Sequence, residues 1–240
     1  PPMIEKRTTS TRDTMTDQVP QTRIYRTWNI PSVDSEVTDR MNLVSQVLGG
    51  SRSSRLDKRL VFQDKLADSV ATFAWGSELG GLFIVQVDVK QGVDPAKVEA
   101  ALDEELDKLI ASGPTEAELA QAKTVIEAGF VRGIERIGGF GGKADVLAEC
   151  AVFTGDPACY AKTLTVIEQS SVKDVQATAA EWLSSGDYTL TVVPGERKAV
   201  VEAPAVKDLK PSVIPPADPK FTTVPSTVNR SLGVPKTDRF

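Results

Sequence analysis

The spacing of apolar residues along this chain changes several times, and each change marks an element. Between Thr22 and Ile30 apolar and polar positions alternate, with Ile24, Trp28 and Ile30 on one side, which predicts a strand stopped by Pro31. After Ser32, a suitable cap, the spacing lengthens to a helical one, and Val37, Met41, Val44 and Leu48 share a face. Gly49-Gly50 should end that helix, because glycine accepts the left-handed conformation that helix C-termini often need. A shorter helix is expected from Ser54 to Gln63. Two strands follow, over Ser69–Trp75 and Leu82–Lys90, with a turn at Gly76–Gly81 between them. In the second strand Val85, Val87 and Val89 alternate with Gln86, Asp88 and Lys90, the signature of a half-buried antiparallel strand.

The next stretch is helical. Asp94-Pro95 sets an N-cap before a proline at the first helical position, and Val98, Leu102, Leu106, Leu109 and Ile110 form the apolar stripe. Ser112-Gly113-Pro114 breaks this helix, and Thr115 with Glu118 makes a capping box for another, whose stripe is Leu119, Ile126, Phe130, Ile134 and Ile137. Gly138–Gly142 interrupts the pattern. Gly155-Asp156-Pro157 separates two further helical pieces, and Ser171 with Asp174 resembles another cap. A strand over Asp187–Val193, with Tyr188, Leu190 and Val192 facing one way, runs up to Pro194-Gly195. Strands and helices are partly segregated in this order. That predicts an α+β domain over residues 20–195, with helices packed on one face of a mostly antiparallel sheet. Residues 1–20 are polar and rich in Thr, Arg and Asp, an extended segment leading into the domain. Residues 196–240 carry seven prolines and little periodicity, which reads as a semi-extended linker toward a further domain. With no charged-then-apolar leader and an end in mid-linker, the chain reads as part of something longer.

Composition narrows the chemistry. Hydrophobic content of 40% and charged content of 25% are ordinary for a soluble globular protein. A net charge of −5 without a basic block argues against nucleic acid as a partner. No apolar run approaches the ~18 residues that a membrane span requires. The chain has no histidine, which removes Ser-His-Asp and Cys-His catalysis and the commonest metal ligand together. Its two cysteines cannot make a zinc site without partners.

Four segments carry a family resemblance. LGGSRSSRL at residues 48–56 joins two helices across a glycine pair and a Ser/Arg turn. The segment from Leu60 to Val70 leads into a strand. Ser112-Gly113-Pro114-Thr115-Glu116-Ala117-Glu118-Leu119 forms a helix junction, and TLTVVPG closes the final strand. In this order and spacing they resemble the second domain of pitrilysin/insulinase-type zinc peptidases, the group that includes the mitochondrial processing peptidase. The resemblance covers residues 20–195 and implies the metallohydrolase fold of the processing peptidase type. Such proteins pair a zinc domain bearing His-x-x-Glu-His with a second domain of related fold, and two pairs close as a clamshell. No such motif stands in this chain. The family also has an arginine and, seven residues later, a tyrosine that hold the substrate backbone in the half completing the active site. Here those positions, counted from Leu60, are Val61 and Asp68. The resemblance therefore implies the second, non-catalytic domain of a zinc-bearing half. It implies no cofactor in this chain and zinc in the parent protein's catalytic domain. The implied partners are that zinc domain, the second half of the same protein or a partner subunit, and a peptide substrate. The implied role is to brace the zinc domain and wall the peptide chamber; the alternative is a purely structural member of the family without peptidase activity.

The candidate residues each have two readings. Gly49, Gly50, Ser51 and Arg52, with Arg55, occupy the place of the family's glycine-rich loop, which in some members contacts substrate. They equally suit a tight helix-to-helix turn with Arg55 on a solvated face. Gly138–Gly142 lacks the preceding strand with Gly-x-Gly-x-x-Gly and the following Gly-Lys-Ser/Thr of a phosphate loop, and suits a helix break. Cys150 and Cys159 bracket a short turn and are either a disulfide, which would place the protein in an oxidising compartment such as a periplasm, or two buried thiols. Val85, Val87 and Val89 suit an internal strand or one that accepts a peptide at its edge. Trp28, Trp75 and Trp182 fall on three elements and are expected in the core.

Overall fold

Four helix starts in this chain are set by polar side chains that satisfy the first free backbone N–H groups. In the computed structural model, which describes residues 4–197, Ser35 accepts from the Val37 amide and opens α1, Glu36–Gly49. Ser32, the cap expected from sequence, instead donates to Asp34 at 2.5 Å. Asp94 accepts from Ala96 and opens α2, Pro95–Ser112. Full capping boxes at Thr115/Glu118 and Ser171/Asp174 open α3, Glu116–Ile134, and α6, Val172–Leu183. The remaining helices are a π-helix over Asp57–Gln63, α4 over Lys143–Thr154 and α5 over Cys159–Gln169.

Five strands form one sheet: β1 Thr11–Asp17, β2 Arg23–Ile30, β3 Ala67–Ser77, β4 Gly80–Val89 and β5 Asp187–Pro194. Their order is β1-β5-β2-β4-β3; only β1 and β5 run parallel. This is the α+β, mostly antiparallel arrangement that the residue pattern predicts. Alternation puts Ile24, Trp28 and Ile30 of β2 and Phe83, Val85, Val87 and Val89 of β4 on one face, each buried to 1% exposure or less. Met41, Leu43, Val44 and Leu48 of α1, Leu102 and Leu109 of α2, and Val175 and Ala179 of α6 pack on that face. Val85, Val87 and Val89 therefore belong to an internal strand, and among the described residues the edge strands are β1 and β3.

Several boundaries and faces differ from the sequence expectation. Thr11–Asp17, within the extended polar segment, is itself a strand of the sheet. Its residues are mostly exposed on both faces, so no apolar alternation marks it, and it forms by pairing with a strand far away in sequence. The β3–β4 turn is tighter than Gly76–Gly81, since Ser77 already pairs with Gly80. On β5, Tyr188, Leu190 and Val192 do share a face, but it lies away from the helices. The core side carries Asp187 and Thr189, with Arg26 donating to Asp187 at 2.9 Å and the Thr189 hydroxyl at 3.1 Å. Trp28 is in the core, Trp182 is partly buried against it, and Trp75 is 64% exposed on the open face. Ile137 lies beyond the end of α3 at 79% exposure, because the helix stops at Ile134 and its apolar stripe ends there. Apart from Glu196 and Arg197, the proline-rich linker segment 196–240 lies outside the described residues. Among the described residues no helix is long and apolar enough to cross a membrane.

Candidate functional site

The LGGSRSSRL junction sits where α1 runs into the sheet. Gly49 is still helical, and Gly50 has φ −80°, so neither uses a left-handed conformation. The reason for glycine is close approach. A Cβ on Gly49 would stand 2.8 Å from Thr72 Cγ2 on β3, whose hydroxyl donates to the Ser45 carbonyl at 2.7 Å. The glycine thus lets the end of α1 lie directly on the edge strand.

The turn that follows is held by its own hydroxyls. Ser51 and Ser53 share a 2.9 Å hydrogen bond, Gln121 of α3 donates to Ser53 at 2.7 Å, and the Ser54 amide donates to Ser51 at 3.0 Å. Ser51 is partly buried and Arg52 is exposed, forming no ion pair among the described residues. The crevice behind the turn has a volume of about 20 Å³, room for one water and too little for a peptide.

Arg55 points inward. Its guanidinium grips Glu118 with both arms, at 2.9 and 2.7 Å, and donates to the Gly113 carbonyl at 3.0 Å. Gly113 caps α2 at φ +71°, a conformation only glycine adopts readily, so the α2–α3 break and the LGGSRSSRL turn are tied at one point. Glu118 also receives the Thr115 amide at 2.8 Å. The hydrogen bond from Arg55, followed by those from Thr115, outweighs burial and holds the Glu118 carboxyl down at about 2. Arg55 is thereby engaged in joining elements, with its side chain 13% exposed. The sequence named Glu118 only as a cap; its long-range partner had no local signal.

Val61 and Asp68, which the resemblance sets against the family's substrate-holding pair, lie on two different elements. Val61 is partly buried on the π-helix against the core, and Asp68 is exposed on β3, accepting from Gln21 at 3.2 Å. Cys150 and Cys159 are joined as a disulfide with Cα atoms 5.4 Å apart, pinning α4 to α5. Among the described residues no group of three or more His, Cys, Asp or Glu side chains could hold a metal ion. The Gly138–Gly142 segment is an ordered turn: Arg136 donates to the Phe140 carbonyl at 3.0 Å and the Gly141 amide to Asp145 at 2.7 Å. It presents Phe140 at 95% exposure.

A second surface was not legible in the sequence. On the side of the sheet away from the helices, Trp75 pairs across the strands with Leu82 and Phe73 with Ile84. Trp75, Leu82 and Phe73 are 64%, 39% and 36% exposed.

Residues 1–126 match the sequence model of the family described as peptidase M16 inactive domain. No curated protein matches the chain by sequence. Among solved structures, a protease from Helicobacter pylori is similar over 79% of this chain and 46% of its own, with a TM-score of 0.71 and 18% identity. A peptidase M16 inactive domain from Pseudomonas fluorescens is similar over 82% of this chain and 47% of its own, with a TM-score of 0.66 and 16% identity. The inactive peptidase domain of a candidate zinc protease from Bordetella parapertussis matches over 73% of this chain and 93% of its own, with a TM-score of 0.64 and 22% identity. The chain thus spans about half the length of the first two and nearly all of the third. At these identities the likeness is one of fold.

Proposed function

The chain belongs to the peptidase M16 inactive domain family, and on that premise we propose that it is the non-catalytic domain of a zinc-dependent metallopeptidase. In this reading it braces the zinc-bearing domain and walls the chamber in which a peptide is cut. The observation that carries the bracing role is the apolar open face of the sheet. Three large side chains, Phe73, Trp75 and Leu82, stand together in solvent on a face that the helices of this domain do not cover. Contiguous exposed apolar surface of this kind marks a packing interface. Structural relatives about twice this length support a second domain as the occupant.

Zinc and its hydrolytic chemistry belong, in this reading, to the catalytic domain. The residues present here do not fit a zinc site, since there is no histidine and both cysteines are in the disulfide. That disulfide supports an oxidising compartment such as a periplasm.

The test uses the full-length protein and a quenched fluorescent peptide library. Trp75→Asp with Leu82→Asp should lower peptide hydrolysis at least tenfold while the catalytic domain keeps its zinc. The 240-residue chain by itself should cleave nothing. A full-length protein without bound zinc or peptidase activity would replace this reading with the purely structural one.

A further inference from the structure

A cleft of about 800 Å³ opens beside the N-terminal half of α1, away from the LGGSRSSRL turn at its other end. Its floor is the N-terminal half of α1 with Ala74 and Gly76 of β3; its far wall is the disulfide-pinned α4–α5 hairpin and Phe130 of α3. A recess of this size takes a small ligand or a few residues of peptide.

Its chemistry is one-sided. Asp34, Asp39, Glu149 and Asp156 line it against a single base, Lys162, whose nearest carboxylate is Glu36 at 3.9 Å on the rim. Asp39 is the unusual member. It is 7% exposed, yet among the described residues it forms no salt bridge, although Arg40 and Lys162 lie in its vicinity. Burial, its dominant influence, lifts its carboxyl to about 6. The Thr163 hydroxyl, Lys162 and Arg40 pull the other way, and Glu36 adds to the rise. A buried acid with so little compensation is better satisfied by a cation that comes from outside. The rings of Phe130 and Tyr160 stack with centroids 5.7 Å apart, and both line the same cleft. Aromatic rings and carboxylates lining one cleft are a favourable setting for a planar organic cation, which gains both charge pairing and contact with a π face.

We propose that this cleft binds the guanidinium side chain of arginine, with Asp39 as its anionic floor and the Phe130–Tyr160 pair as its wall. The cation comes either from the free amino acid or from an arginine within a peptide. The volume leaves room for flanking residues in the second case, and the cleft abuts β3, an edge strand of the sheet among the described residues. The site is independent of the peptidase reading: binding by this chain tests it, and loss of the zinc-domain assignment would leave it standing.

The experiment is isothermal titration of the 240-residue chain with L-arginine and with acetyl-Gly-Arg-Gly-amide, each against its citrulline counterpart. Citrulline keeps the shape and removes the charge. Arginine in at least one form should bind at least tenfold more tightly than citrulline, and whichever form binds better identifies the source. Affinity should fall about tenfold from pH 7 to pH 5 as Asp39 takes up its proton, given a carboxyl at about 6. Asp39→Asn should weaken binding at least tenfold. Glu149→Gln, on the exposed wall where folding is not at stake, should weaken it several-fold. Equal affinity for citrulline, no binding of either arginine form, or unchanged binding by both variants would overturn the site.

Discussion

The sheet with α1, α2 and α6 and the excursion made by the end of α3 with α4 and α5 are stabilised in different ways. In α1 nine of fourteen residues are buried, whereas α4 buries only Cys150 and α5 only Ile167. The first region is held by apolar burial around Trp28, Phe83, Leu43 and Leu102. The second is held by a covalent bond and by the stacking of Phe130 on Tyr160. It also leaves Phe140, Ile137 and Val152 at 95%, 79% and 75% exposure. A core that satisfies itself specifies one arrangement; a hairpin with little core must be fixed by a link or covered by something else. In the first region burial specifies the fold; in the second, as on the open sheet face, large apolar side chains stay exposed.

The sharpest test of that contrast is Trp28→Ala. It empties the space beside Phe83, whose ring centroid lies 6.0 Å away, and should cost about 3–5 kcal/mol, lowering the midpoint of cooperative urea unfolding for the whole domain. The double substitution Cys150→Ala with Cys159→Ala should act locally. Loop-closure entropy for this short loop predicts a loss of about 2–3 kcal/mol confined to α4 and α5. Hydrogen exchange should accelerate there while β2 and β4 keep their protection; uniform acceleration would break the division into two regions.

A smaller effect is expected at the Arg55–Glu118 tie, which belongs to the first region but is partly open to solvent. Arg55→Ala should cost about 1–2 kcal/mol after allowance for screening. The pH dependence has a definite sign. The Glu118 carboxyl lies at about 2 in the folded protein and near 4.5 ordinarily, so its contribution is fully present above about pH 4.5 and is lost as pH falls toward 2. Thermal unfolding across that window should show a shallower acid loss in Arg55→Ala than in the parent chain.

Much of the first region was legible because burial writes a period into the sequence. Ile24, Trp28 and Ile30 alternate, Met41, Val44 and Leu48 recur helically, and Thr115 with Glu118 marks a helix start by its own hydrogen bonds. The candidate surfaces were less legible for the same reason. Asp39 reads as an ordinary helix residue until the α4–α5 hairpin closes over it. Trp75 reads as core until the register shows it, with Phe73, on the uncovered face. Val61 and Asp68 could be judged from sequence because the question there was only which side chain was present.

The sequence by itself determined the α+β class, most of the helix starts and the absence of histidine chemistry, all of which depend on local spacing, local capping or residue identity. Only the tertiary structure decided that Thr11–Asp17 is a strand, that Arg55 reaches Glu118 and Gly113, and which face of β5 meets the core. Each of these pairs residues dozens of positions or more apart in the chain. Such pairings leave no periodic trace, because their energy comes from where other elements place the partner and not from the neighbours in sequence.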